Sequence, residues 1–76
     1  MDLRKIFAAN LRRLRNEKGS SQDDAARDAG MSRSYLNQIE QGNFYVSIKI
    51  IGKLAETLKV EPAEFLRLTK KRSRGS

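Results

Sequence analysis

The sequence contains no cysteine, no histidine and no tryptophan, and only one proline. Without cysteine no disulfide can form, and without cysteine or histidine the usual ligands of a structural zinc site are missing, so the common staples of a small domain are excluded. A chain of 76 residues has room for one domain with one small core, which buries only about 60% of the surface its unfolded form exposes. Close helix packing and self-association are the remaining sources of stability.

The same absences narrow the chemistry. The carboxylates fall mostly near helix starts or charged neighbours, and no nucleophile–base pair or metal-ligand set can be assembled. The expectation is a protein that is not an enzyme and needs no cofactor and no metal. No stretch approaches the roughly 18 apolar residues of a membrane span, and the first residues lack the apolar run of a secretory signal. A cytoplasmic location with no membrane partner is expected. With no second domain to hold one, no small-molecule ligand is expected either.

What the chain has in excess is positive charge: 16 Lys and Arg against 9 Asp and Glu, a net +7. That balance calls for an anionic partner, nucleic acid before an acidic membrane. Four of the basic residues, Lys70, Lys71, Arg72 and Arg74, lie in a tail without acids. Residues 1–69 therefore form an only mildly basic folded domain, and residues 70–76 a basic tail expected to be disordered. The tail reads equally as a solvated end or as a phosphate contact.

Glycines and the proline punctuate segments whose apolar residues recur at helical spacing, which predicts an all-α domain of five helices. The first spans about Asp2 to Lys18, with Leu3, Phe7, Leu11 and Leu14 as its apolar stripe, and Gly19 suits the left-handed residue after it. Ser21 can cap the second helix, which Gly30 closes. Ser32 can cap a third, reaching about Gln41. Ser47 begins a fourth with Ile48, Ile51, Leu54, Ala55 and Leu58 on one face. Pro62 fits the first turn of a fifth, which has Phe65, Leu66 and Leu68 to bury.

Gln22 to Gln41 is the informative stretch. Two short helices joined by Gly30-Met31-Ser32 must cross closely, which requires small residues such as Ala26 where they meet and glycine where the chain reverses. Leu36 and Ile39 can face the core, leaving Arg33, Ser34, Asn37, Gln38 and Gln41 outward. Such a face suits the major groove of duplex DNA, where arginine can address guanine O6 and N7 and an amide adenine N6 and N7. By itself an amide-rich face is also an ordinary wetted surface; it is the combination of helix, glycine turn, serine cap and amide row that points to DNA.

The segments L-R-R-L-R-N-E-K-G, S-Q-D-D-A-A, G-M-S-R-S-Y-L-N-Q-I-E-Q-G and K-L-A-E-T-L-K-V resemble the lambda-repressor-like, Xre-type helix-turn-helix family over about Ile6 to Leu66. R-S-Y-L-N-Q-I-E-Q-G is similar to the recognition helix of controller proteins of restriction-modification systems. The resemblance implies a compact five-helix fold and transcriptional regulation by a dimer on a roughly palindromic operator. It implies that Arg33, Ser34 and Gln38 read base edges, with Asn37 as a further reader. Gln22, Ser32, Tyr35 and Gln41 would contact the sugar-phosphate strand, and Arg15 would pair with Glu40 to join the first helix to the third. Tyr35 equally fits a pure core role. The chain departs from the family at Ala25, where leucine is usual, and at Phe44 and Tyr45, where basic or polar residues are common. Those aromatics fit a core, a subunit contact or stacking on nucleic acid.

A homodimer is expected from the resemblance together with geometry, because one recognition helix covers few base pairs and high specificity usually needs two half-sites about 34 Å apart. Ile48, Ile50, Ile51, Leu54, Phe65 and Leu68 are the candidate subunit contacts. A second class of function also remains open: a helix-turn-helix module that docks protein, of the antitoxin or coactivator kind. Arg33 and the amide row argue against that as its sole role.

Overall fold

The structure is a computed structural model and describes residues 1–68. The expected tail, residues 70–76, lies outside the described residues. Four α-helices are present, α1 (Leu3–Glu17), α2 (Gln22–Ala29), α3 (Arg33–Glu40) and α4 (Ile48–Leu58), followed by a 3-10 turn at Pro62–Leu66. Among the described residues there is no strand.

Each helix starts where a short polar side chain can take up an unpaired backbone N–H. Asp2, Ser21, Ser32 and Ser47 accept hydrogen bonds from the N–H groups of Arg4, Asp24, Tyr35 and Ile50, the interaction that favours these residue types at helix starts. The Asp2 carboxylate also receives the Arg4 side chain at 3.1 Å, which holds its pKa below the ordinary carboxylate value. A carboxyl with a depressed folded pKa stabilises the fold above its ordinary value, and this contribution is lost as pH falls through the depressed one. The exits are similar. Gly30 at φ 74° lets the chain reverse between α2 and α3, with the Met31 N–H donating back to the Ala26 carbonyl at 2.9 Å. A side chain there would strain the backbone.

The core consists of Phe7, Leu11 and Leu14 from α1, Ala25, Ala26 and Ala29 from α2, Leu36 and Ile39 from α3, Leu54, Ala55 and Leu58 from α4, and Phe65. The alanines of α2 let it lie close to both α3 and α4, while α1 packs on α3 and on the 3-10 turn. Leu3, expected on the buried stripe of α1, is 46% exposed. It is the first residue of the helix and overhangs its end.

The expected fifth α-helix is not formed. Glu61 provides no side-chain cap, the Glu64 N–H bonds only three residues back to the Glu61 carbonyl, and the backbone is extended again at Arg67. Asn10, 2% exposed, explains the stop. Its amide nitrogen donates to the carbonyls of Phe65 at 2.8 Å and Arg67 at 2.9 Å. Carbonyls turned toward α1 in this way are not directed along a new helix. Phe65 is fully buried and stacks on Phe7, ring centroids 4.8 Å apart.

Candidate nucleic-acid interface

The sequence of α3 gives it a dry side and a wet side. Leu36, Ile39 and Glu40 are at most 2% exposed, whereas Arg33, Ser34 and Gln41 are exposed and Asn37 and Gln38 half-buried. A buried glutamate needs a partner. Arg15 provides it, with Nε donating to one Glu40 oxygen at 2.6 Å and Nη2 to the other at 3.1 Å. This two-pronged pairing of a planar guanidinium with a carboxylate fixes orientation as well as distance. Arg15 Nη1 also donates to the Ser20 carbonyl at 2.8 Å, and Arg12 donates to the main-chain carbonyl of Glu40. The α3 helix is thus tied to α1 by charge at its end and by apolar packing along its side.

Gln22, the first residue of α2, joins the same network. Its amide nitrogen donates to Glu40 at 3.0 Å and to the Asn37 side-chain oxygen at 3.2 Å. Both hydrogens of that amide are therefore engaged inside the protein, and of the Asn37 side chain it is the amide N–H2 that remains available. At the far end of α3, Asn43 donates from its side chain to the Gln38 oxygen at 2.6 Å and from its main chain to the Gln38 carbonyl at 3.1 Å. Asn43 is a partner that sequence reasoning missed. Its position directly after Gly42, where a helix-ending chain bends back, was the available signal.

Ser32 caps α3 with its oxygen and keeps its hydroxyl hydrogen for another acceptor. Tyr35 is half-buried, and its ring stacks on Phe44 with centroids 5.6 Å apart. Tyr45, 73% exposed, lies under the Arg4 guanidinium at 4.8 Å. Between the start of α2 and the start of α3 is an open notch of about 300 Å³ lined by Gln22, Arg33, Ser34 and Asn37. The notch thus brings Gln22 together with Arg33, Ser34 and Asn37, while Gln38, Ser32, Tyr35 and Gln41 lie outside its lining. Charged, amide and hydroxyl groups on a fixed helix can donate to and accept from base edges and phosphates.

The candidate subunit contacts divide. Ile48 is 87% and Leu68 53% exposed. Ile50 and Ile51 pack partly against the core. Leu54 and Phe65 must be corrected: both are fully buried inside a single chain, where α4 and the 3-10 turn close on α1 and α2, and no second subunit can touch them. The exposed apolar surface lies elsewhere. Leu3, Phe44, Tyr45, Val46, Ile51 and Leu66 line a groove of about 140 Å³ beside Arg4 and Phe7.

Among the described residues no cluster of carboxylates could hold a metal ion, and no helix is long and apolar enough to cross a membrane.

Comparison with known proteins places these features in a family. A helix-turn-helix family model matches residues 11–65. An uncharacterised HTH-type transcriptional regulator, y4dJ, of Sinorhizobium fredii is 35% identical over 66 residues, covering 87% of this chain and 86% of that protein. The control protein C.BamHI of Bacillus amyloliquefaciens is 32% identical over 69 residues, covering 90% and 85%. Among solved structures, the restriction-modification controller protein C.AhdI of Aeromonas hydrophila is 42% identical and superimposes with a TM-score of 0.79, covering 82% of this chain and 94% of its own.

Proposed function

The chain belongs to the Xre-type helix-turn-helix family, whose members similar to it include restriction-modification control proteins, and from that premise we propose that it is a sequence-specific regulator of transcription binding duplex DNA as a homodimer. The observation that carries this reading is the polar face of α3, held outward on a helix whose opposite side is completely buried. Rigid support matters because hydrogen bonds to base edges discriminate only when the donors arrive at fixed positions.

In this reading Arg33, Ser34 and Gln38 address bases. Asn37 is a further reader; its oxygen accepts from Gln22 and that of Gln38 from Asn43, so both residues address bases chiefly through their amide N–H2. Ser32, Tyr35 and Gln41 contact the strand through hydroxyl and amide groups. Gln22 does so through its main-chain N–H at the start of α2, where the helix dipole also favours an anion, because its side chain is committed to Glu40 and Asn37. Selecting bound sites from a random duplex pool tests specificity and two-fold symmetry together. Recovery of unrelated sequences would end the proposal. With a selected site in hand, Arg33→Ala and Gln38→Ala should each weaken binding by about 1 to 3 kcal/mol and relax choice at one base position. Equal losses on selected and scrambled duplexes, measured by gel shift, would contradict the assignment.

The subunit surface is the groove of Leu3, Phe44, Tyr45 and Leu66, extended by Ile48 and Leu68. These six large apolar residues are each 42 to 87% exposed, and four of them line one groove, apolar area that association would remove from water. Ile48→Glu should leave the fold intact and raise the dimer dissociation constant by about tenfold or more, the effect of roughly 1.4 kcal/mol. Sedimentation over a concentration series reads this directly; an unchanged self-association constant would move the interface elsewhere.

The similarity to C.AhdI and C.BamHI favours a controller role, in which the bound operator would lie beside restriction-modification genes. Mapping the selected site onto the sequence flanking this protein's own gene tests that narrower reading.

A further inference from the structure

Resting on the reading of Arg33 as a base contact, we propose that Asp23 is a specificity-determining positioning residue, which braces Arg33 for base contact and repels phosphate from the notch at the start of α3. Asp23 Oδ1 lies 3.5 Å from Arg33 Nε, and the two side chains are 68% and 66% exposed. Asp23 is in the first turn of α2 and Arg33 is the first residue of α3, so the pair spans the two helices at the mouth of the notch formed by Gln22, Arg33, Ser34 and Asn37.

The helix dipole explains why an acid is tolerated in the first turn of α2, but not why it reaches across to another helix. Its neighbours behave differently. Asp24 pairs within α2 to Arg27 at 2.8 Å, and Asp28 lies 3.9 Å from the same arginine. Asp23 is the acid of α2 whose ion pair is with the helix facing the notch.

The atom engaged decides what the pair can do. A guanidinium is a planar fork with five donors. The contact at Nε is a charge attraction at 3.5 Å rather than a hydrogen bond; it favours orientations of Arg33 that leave both Nη groups, which have no acceptor among the described residues, as the edge that meets guanine O6 and N7. An exposed ion pair is weak in water. Between the walls of a groove, with water displaced, the same pair is stronger and the rotation of Arg33 is correspondingly more restricted. The carboxylate also carries the wrong sign for the DNA backbone. It disfavours any docking in which Arg33 turns to a phosphate, and so lowers affinity for all sequences while raising the difference between right and wrong ones.

The test uses the full chain, duplexes enriched from a random pool by the wild-type protein, and their substitutions at the base pair sensitive to Arg33→Ala. Asp23→Ala and the near-isosteric Asp23→Asn should each bind a scrambled duplex about threefold or more tightly at low salt. Their discrimination at the Arg33-sensitive pair should fall by about five- to tenfold. In an Arg33→Ala background the second effect should disappear and the first persist, with thermal midpoints lowered by no more than a few degrees in every Asp23 variant, the loss expected from the helix dipole alone. Unchanged discrimination in both Asp23 variants would overturn the bracing role while leaving Arg33 as the reader. An equal loss of discrimination in the Arg33→Ala background would make Asp23 a base contact in its own right and also overturn it. Should Arg33→Ala itself leave base choice intact, the parent reading fails, and the role of Asp23 with it.

Discussion

Arg15→Ala should cost about 3 to 5 kcal/mol of folding stability, the loss typical of removing one partner from a buried ion pair. The Glu40 side chain is only 3% exposed and that of Arg15 14%. Truncation would leave the carboxylate under α1 with the Gln22 amide as its remaining side-chain donor. It would also release the Ser20 carbonyl, which Arg15 holds at the turn between α1 and α2. A chain of 76 residues has a total stability of roughly 4 to 11 kcal/mol at the usual increment per residue. The variant would therefore lose a large fraction of it, and its melting midpoint should fall by at least about 12 °C. Circular dichroism melting checks this. A fall of only a few degrees would mean that water already screens the pair and that the attachment of α3 rests on Leu36 and Ile39.

A companion variant separates the pair from its pieces. Combining Arg15→Met with Glu40→Met removes both charges and should lose less than Arg15→Ala alone, because no ion is left without its partner. Since these two side chains orient α3 as well as secure it, the double variant should also bind a selected duplex less tightly than its stability suggests. Retained stability with weakened binding is the pattern expected if the pair sets the angle of the helix.

Phe65→Ala should be of similar size, about 3 to 5 kcal/mol, because a fully buried aromatic ring is removed from a small core. The ring has no exposure and lies against Phe7, so the cavity would open between α1 and the 3-10 turn. Its effect should extend beyond stability. Leu66 follows directly and forms part of the apolar groove with Leu3 and Phe44, so releasing the turn should also weaken self-association. Asn10→Ala tests the polar half of the same latch. It leaves the ring but strips the Phe65 and Arg67 carbonyls of their donor, at about 1 to 3 kcal/mol for the buried Phe65 carbonyl and less for that of Arg67, an exposed residue that water can reach. Urea unfolding and sedimentation on the two variants report the two effects. If Phe65→Ala changed neither measurably, the C-terminal turn would be an appendage and the core would end at α4.

These two sites differ in how far they could be foreseen. The pairing of Arg15 with Glu40 is implied by the family resemblance, and the geometry realises it at 2.6 Å. The latch through Asn10 has no such signal. An asparagine in a helix is unremarkable until the carbonyls it serves, more than fifty residues away, are known. The subunit surface was legible only in its chemistry. Apolar residues exceed what one stripe needs, but sequence does not say which of Ile48, Leu54 and Phe65 remain outside.

The order of caps and glycines in the sequence was sufficient to place α1 to α4 and to leave Arg33, Ser34 and Gln41 exposed, because capping, left-handed exits and helical spacing are decided by residues within a few positions of one another. Even so, α4 ends on Lys59 in the left-handed region at φ 57°, an exit that no glycine marks. Tertiary structure alone decided that Pro62–Leu66 stops as a 3-10 turn, that Leu54 and Phe65 lie inside while Leu3 and Ile48 lie outside, that Gln22 donates to Asn37 and Glu40, and that Asp23 lies 3.5 Å from Arg33. Those outcomes depend on where helices distant in sequence come to rest against one another, and a side chain's partners across such a contact are fixed only when the contact exists.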